Sequence, residues 1–205
     1  MIIISFLMSG CWDKVEIDKR IFVSTLGIDV GEDIERKQEL KGIKSNEPFT
    51  DNYIKKLKVV YGYPDISGLN PEKGGESKEK NISVDSYSME DAYSKAISKS
   101  SRDISFGHLK LLILTRDVFQ YPDTIKEVVD YLQRESAITR DMFVVVCDGD
   151  VKSYIDFEPD TEKNIHNYIV GLIENSDRNS NIIPTNFNKF MKGINEDGNI
   201  ILPLL

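Results

Sequence analysis

Apolar positions recur with a period of two in some stretches of the chain and at helical spacing in others, and the two patterns alternate. Ile21–Val30 is rich in β-branched residues and closes on Gly31, which predicts a strand. Over Tyr53–Tyr63, Leu57, Val59 and Tyr61 fall on one side and Ile54, Lys56, Lys58 and Val60 on the other, the pattern of a half-buried strand that Pro64 ends. Asn81–Tyr87 predicts a short strand. Ser88 then stands where a helix cap is needed: Glu90 and Asp91 fill the first turn, and Met89, Ala92, Ala96 and Ile97 share one face. In His108–Thr115, Leu109 and Leu111–Leu114 form a nearly continuous apolar run, as in a strand covered on both faces. Arg116–Tyr121 has room for one helical turn before Pro122. A second helix is predicted from near Asp123, with Ile125, Val128, Val129 and Leu132 at helical spacing. Met142–Cys147 predicts another buried strand, followed by Asp148-Gly149-Asp150. Short helices are expected at Val151–Asp156, Ile165–Asn175 and Thr185–Lys192, the last just after Pro184.

Two stretches lack such patterns. Glu32–Thr50 is charged and turn-forming and reads as a solvated loop or irregular hairpin. Asn70–Lys80 has no apolar residue to offset the entropy of ordering, so a mobile charged loop is expected there. The alternation of helix and strand elsewhere predicts a mixed α/β (α+β) fold with a central mixed β-sheet flanked by helices.

The amino terminus has another logic. Ile2–Met8 is a short apolar run ending in Ser9 and Gly10, directly before Cys11. That is the layout of a bacterial lipoprotein signal, in which small residues let the peptidase cleave the Gly10–Cys11 bond and the Cys11 thiol carries a diacylglycerol. Residues 1–10 are then the signal peptide, truncated at its start, and residues 11–20 a tether. Met8 stands where Leu is usual and no Lys or Arg precedes the run. The alternative reading makes Ile2–Met8 a first strand and Cys11 a small core residue. Trp12, just beyond, has the amphipathic ring favoured at a membrane interface, though an exposed tether accounts for it equally.

Charge narrows the function classes. Lys and Arg number 26 against 34 Asp and Glu, a net charge of -8 with no long basic run. Such a chain is unsuited to nucleic acid, whose phosphates need clustered cations, and anionic head groups repel it, so a membrane attachment must be covalent or strongly apolar. Two cysteines and two histidines leave no zinc-type spacing. His108 and Lys110 would share a face of a strand, but no nucleophile with a base and an orienting group can be placed beside them. Cys147 reads as a small core hydrophobe. The pairs Asp148/Asp150 and Asp29/Asp33 have oxygen ligands for a hard cation but not calcium-loop spacing, so turn-forming aspartates are the simpler account. No catalytic residue, metal ligand or cofactor site is assigned.

Ser9-Gly10-Cys11-Trp12-Asp13-Lys14-Val15-Glu16-Ile17 and Thr25-Leu26-Gly27-Ile28-Asp29 resemble the opening and the first strand end of the Ger(x)C family, the lipoprotein C subunits of spore nutrient-germinant receptors. Ser105-Phe106-Gly107-His108-Leu109-Lys110 is similar to a later strand of that family, and Arg134-Glu135 through Arg140, followed by Met142–Cys147, to another segment. The resemblance implies a non-catalytic lipoprotein on the outer face of the inner spore membrane, working in germination with A- and B-type receptor subunits. It implies that residues 21–205 form the family's N-terminal domain, with the C-terminal domain absent. A generic extracytoplasmic lipoprotein, such as a solute-binding protein, is the alternative.

Overall fold

The computed structural model describes residues 19–36, 54–65, 77–162, 164–178, 182–196 and 198–205. Its spine is β2 (Thr25–Val30), paired in antiparallel fashion with β3 (Leu57–Pro64) and in parallel with β6 (Leu111–Thr115). Outside these lie β4 (Glu79–Ser86), antiparallel to β3, and β7 (Phe143–Cys147), parallel to β6, so the mixed sheet runs β4-β3-β2-β6-β7. A second, two-stranded parallel sheet joins β1 (Arg20–Phe22) to β5 (Asp103–Ser105). The expected fold class, a mixed sheet flanked by helices, is the observed one.

Side chains alternate across the five-stranded sheet and divide it into two faces. Leu26, Ile28, Leu57, Val59, Tyr61, Leu112, Leu114 and Val144 point to the larger core. Helices α1 (Met89–Lys99), α2 (Pro122–Arg134) and α5 (Phe187–Asn195) contribute residues to this core, among them Ala92, Ala96, Val128, Val129, Leu132, Phe187 and Phe190. The opposite face presents Val60, Leu111, Ile113, Val145 and Cys147 to α3 (Val151–Ile155) and α4 (Ile165–Arg178). The continuous apolar run at Leu111–Leu114 follows from this double cover.

Local chemistry sets the helix ends. Ser88 Oγ accepts from Asp91 N at 3.2 Å while Asp91 Oδ2 accepts from Tyr87 N at 3.2 Å, a reciprocal cap. Pro122 occupies the first turn of α2, where its missing N–H costs nothing. Asn186 Oδ1 accepts from Lys189 N at 3.0 Å to start α5. Both sheet edges are managed. Lys99 Nζ and Lys95 Nζ reach from α1 to the outward carbonyls of Ser83 and Asp85 on β4, at 2.7 and 3.0 Å. On β7, Val146 N donates to Pro203 O and Leu205 N donates to Val146 O, so the last described residues lie along that edge.

Three expectations need correction. Ile21–Val30 is two strands, because the chain changes sheets at Val23–Ser24: Val23 N still donates to Ser105 O, while Ser24 N donates to Gly62 O. The strand expected from His108 begins at Leu111, since Leu109 N turns back to Phe106 O at 3.0 Å. Glu79 and Lys80, assigned to the charged loop, open β4 and pair with Pro64 and Tyr63; residues 70–76 of that loop lie outside the described residues.

Candidate functional site

Gly10 and Cys11, the expected cleavage and lipid-attachment residues, lie outside the described residues, as does Trp12. His108 sits in the turn before β6 with its ring centroid 4.9 Å from that of Phe22. Because the turn precedes the strand, His108 and Lys110 are not successive same-face positions of β6. Cys147 is fully buried, and burial pushes its thiol up to about 12, with Asp29, Asp148 and Asp150 adding to the effect, so it stays protonated and inert. The acidic pairs are engaged with the protein's own groups. Asp29 Oδ1 accepts from Thr115 Oγ1 at 2.6 Å, and Asp33 Oδ2 accepts from Lys55 N at 3.0 Å. Asp148 pairs with Arg116, and Asp150 with Lys58.

The feature that stands out is on the face covered by α3 and α4, and it starts from two glycines. At the centre of β2 and β3, Gly27 and Gly62 leave a bare patch of sheet. A Cβ on Gly27 would lie 2.6 Å from Val151 Cγ2 and 2.8 Å from Ile155 Cδ1; one on Gly62 would lie 3.0 Å from Ile155 Cγ2. The one-and-a-half turns of α3 therefore rest directly on backbone, with Val151 and Ile155 fully buried.

A buried carboxylate fastens the start of α4 beside it. The Glu79 side chain is only 4% exposed. Its Oε1 accepts from Ser24 Oγ at 3.1 Å, and its Oε2 accepts from the Asn164 amide at 3.0 Å. His166 Nδ1 lies 3.6 Å from the same Oε2. These partners offset the cost of taking the carboxylate out of water and tie the α4 entrance to the head of β4.

With both helices so placed, Ile165, Ile169 and Ile173 of α4 are buried against the sheet, but the apolar stripe continues past them. Ser153, Tyr154, Phe157, Ile165, Tyr168, Ile169, Leu172 and Leu205 line a groove of about 410 Å³. Phe157 is 55% and Leu172 44% exposed, a large apolar surface left open to water. The 156–164 connection beside it reads Asp-Phe-Glu-Pro-Asp-Thr-Glu-Lys-Asn, with four carboxylates against one lysine. The sequence reading placed α4 but not the groove. The signal was there: Tyr168 and Leu172 widen the Ile165–Ile169–Ile173 stripe beyond what one buried face requires.

Among the described residues no group of three or more His, Cys, Asp or Glu side chains could hold a metal ion, and no helix is long and apolar enough to cross a membrane.

Comparison with known proteins points in one direction. The family model for the spore germination protein N-terminal domain matches residues 13–205. The spore germination protein YndF of Bacillus subtilis is 26% identical over 192 residues, covering 90% of this chain and 47% of that protein. Spore germination protein GerQC of Bacillus cereus is 23% identical over 124 residues, 60% of this chain and 34% of the relative. Spore germination protein KC of Bacillus subtilis is 24% identical over 147 residues, 71% of this chain and 32% of the relative. The chain thus spans about half or less of the length of these relatives. No solved structure matches it.

Proposed function

The chain belongs to the family of spore germination protein N-terminal domains, and from that premise we propose that it acts in germination as a lipid-anchored, non-catalytic subunit of a nutrient-germinant receptor. The observation that carries this reading is the family match across residues 13–205. The names of the three relatives agree with it, since each is a spore germination protein.

In this proposal Cys11 is the attachment point, at the end of the Ile2–Met8 run and directly after Ser9 and Gly10. One acyl chain holds a protein on a bilayer only marginally, whereas the two or three on a bacterial lipoprotein anchor it stably, at about 0.8 kcal/mol per buried CH₂. The domain then lies on the outer face of the inner spore membrane and meets A- and B-type receptor subunits at raised effective concentration, so that weak contacts suffice for assembly. Its role is to bind and position those subunits.

The anchor is tested with Cys11→Ala made in the gene at its own locus, which moves the protein from membrane to soluble fractions; unchanged membrane retention refutes it. For the germination role, deleting the gene, together with related receptor genes that mask it, slows nutrient-triggered germination and leaves vegetative growth alone. A normal nutrient response in that strain refutes the role.

A further inference from the structure

Three residues, Asp148-Gly149-Asp150, carry the chain from the end of β7 to the start of α3, and the link is held fast at both ends, where Cys147 and Val151 are fully buried. The link itself is exposed, and Gly149 takes a φ of +83°, in the left-handed region that glycine enters without strain. Such a stretch has covalent chemistry of its own. In an Asp-Gly pair the side-chain carboxyl carbon can reach the next backbone nitrogen by closing a five-membered ring, and glycine has no side chain to shield that nitrogen.

Here the nucleophile is open and the electrophile is tethered. Nothing lies within 4 Å of where a Cβ on Gly149 would stand, and among the described residues no hydrogen bond engages its N–H. The Asp148 carboxylate, 53% exposed, accepts from Arg116 Nε at 2.9 Å. Ring closure requires it to leave Arg116 and turn to the Gly149 nitrogen. Because Arg116 is itself 62% exposed, the pair is weak, and it slows the step by about two- to fivefold without blocking it.

We propose that Asp148-Gly149 is a self-modifying link that converts to isoaspartate, and that the longer backbone lifts α3 from its seat on Gly27 and Gly62. Gly149 N bonds to Asp148 Cγ, and one carboxyl oxygen leaves as water, taking the hydrogen of that nitrogen and a proton from solvent. Water then adds to either carbonyl carbon of the cyclic imide. Addition at Cγ restores aspartate. Addition at the main-chain carbonyl carbon routes the chain through Cβ and Cγ and frees the former main-chain carbonyl as a carboxylate. No oxidant or reductant is consumed, and the product has the parent mass. The backbone gains one carbon, about 1.5 Å of contour. A three-residue link buried at both ends has little slack to absorb it. The strain falls on Asp150, whose carboxylate accepts from Lys58 and Ser153, and through Val151 on the contact with Gly27. The chemistry belongs to the link alone and stands whether or not the receptor reading does.

The test holds the full chain carrying Cys11→Ala, which keeps lipid out of the measurement, at neutral pH for several weeks. Tryptic mapping with electron-transfer fragmentation, which separates isoaspartate from aspartate, follows the Asp141–Lys152 peptide; the other Asp-Gly pair, at 197–198, falls in a different peptide. A succinimide one water lighter should appear first, then isoaspartate at 148. Asp148→Glu keeps the charge but needs a six-membered ring, so it should give no product. Arg116→Gln should raise the rate about two- to fivefold in the folded chain and leave it unchanged in urea, where the pair is already lost. The isoaspartate fraction, isolated by chromatography, should exchange the α3 amide hydrogens faster than the unmodified fraction. The proposal is overturned if residue 148 stays aspartate while a synthetic 141–152 peptide converts, if Asp148→Glu forms product, or if α3 exchanges equally in the two fractions. A folded-chain rate that ignores Arg116→Gln overturns the part assigned to the tether.

Discussion

Gly27→Ala adds one methyl group at the point where α3 touches the sheet. The new Cβ would stand 2.6 Å from Val151 Cγ2 and 2.8 Å from Ile155 Cδ1, against the 3.5–4.0 Å at which carbon atoms rest. Relief requires α3 to rise by about 1 Å or two buried side chains to leave their rotamers, and overpacking of this kind costs about 1–3 kcal/mol. The added methyl also restricts the unfolded chain, which returns about 0.5–1 kcal/mol. The net loss centres on about 1 kcal/mol, or a fall in Tm of about 2–4 °C for a domain of this size. Gly171→Ala is the control: it lies within α4 with nothing within 4 Å of the new Cβ, so helix propensity alone acts and stability rises by about 0.5–1 kcal/mol. Combining Gly27→Ala with Val151→Ala removes the nearest clash, so the pair should cost less than the sum of the single losses by about 1 kcal/mol. Thermal and urea unfolding followed by far-UV circular dichroism measure all four variants. A Gly27→Ala chain that melts at or above the parent temperature refutes the seating of α3 on bare backbone.

Glu127→Ala leaves the Lys56 ammonium, 5% exposed, without its partner; because Glu127 is itself 48% exposed, the loss should be about 1–3 kcal/mol, below the full cost of a deeply buried pair. Adding Lys56→Met should restore most of it, and a double variant no more stable than Glu127→Ala refutes this assignment. The hydrogen bond from Lys58 holds the Asp150 carboxyl below its ordinary value, so its stabilising effect is full above the unfolded value of about 3.9 and fades as pH falls through the lower folded one. Asp150→Asn should therefore cost about 0.5 kcal/mol or less near neutrality, the pair being largely solvated, and the difference from the parent should shrink in acid; a difference that grows on acidification contradicts the pairing.

The strand and helix order was legible because each element carries its own periodicity. Met89, Ala92 and Ala96 are buried together because they recur at helical spacing, and Leu111–Leu114 is buried throughout because a strand covered on both faces has no polar side to show. Boundaries failed where hydrogen-bond partners change without a change in composition. In Ile21–Val30 only the polar pair Ser24-Thr25 coincides with the switch between sheets, and because both side chains are buried as in an unbroken strand, the pair does not by itself mark the change. His108-Leu109 likewise reads as strand until the turn bond from Leu109 N to Phe106 O is seen. Lys80 looked like loop because its neighbours are polar, yet an edge strand tolerates polar residues along its whole length, and α1 lends β4 two lysines to cover its open carbonyls.

The groove was illegible for a different reason: it is made by absences that act together. Gly27 and Gly62 mean little separately in sequence, but the register places Gly27 opposite Val60 and Gly62 opposite Thr25 on adjacent strands, which clears a floor for α3. Glu79 reads as one more solvated acid until Ser24, Asn164 and His166 converge on it from elements 55 to 87 residues away in the chain. Once those two devices fix α3 and α4, the Tyr168 and Leu172 side of the stripe has no sheet left to cover it. The exposed apolar surface is thus a consequence of how tightly the rest of that face is built.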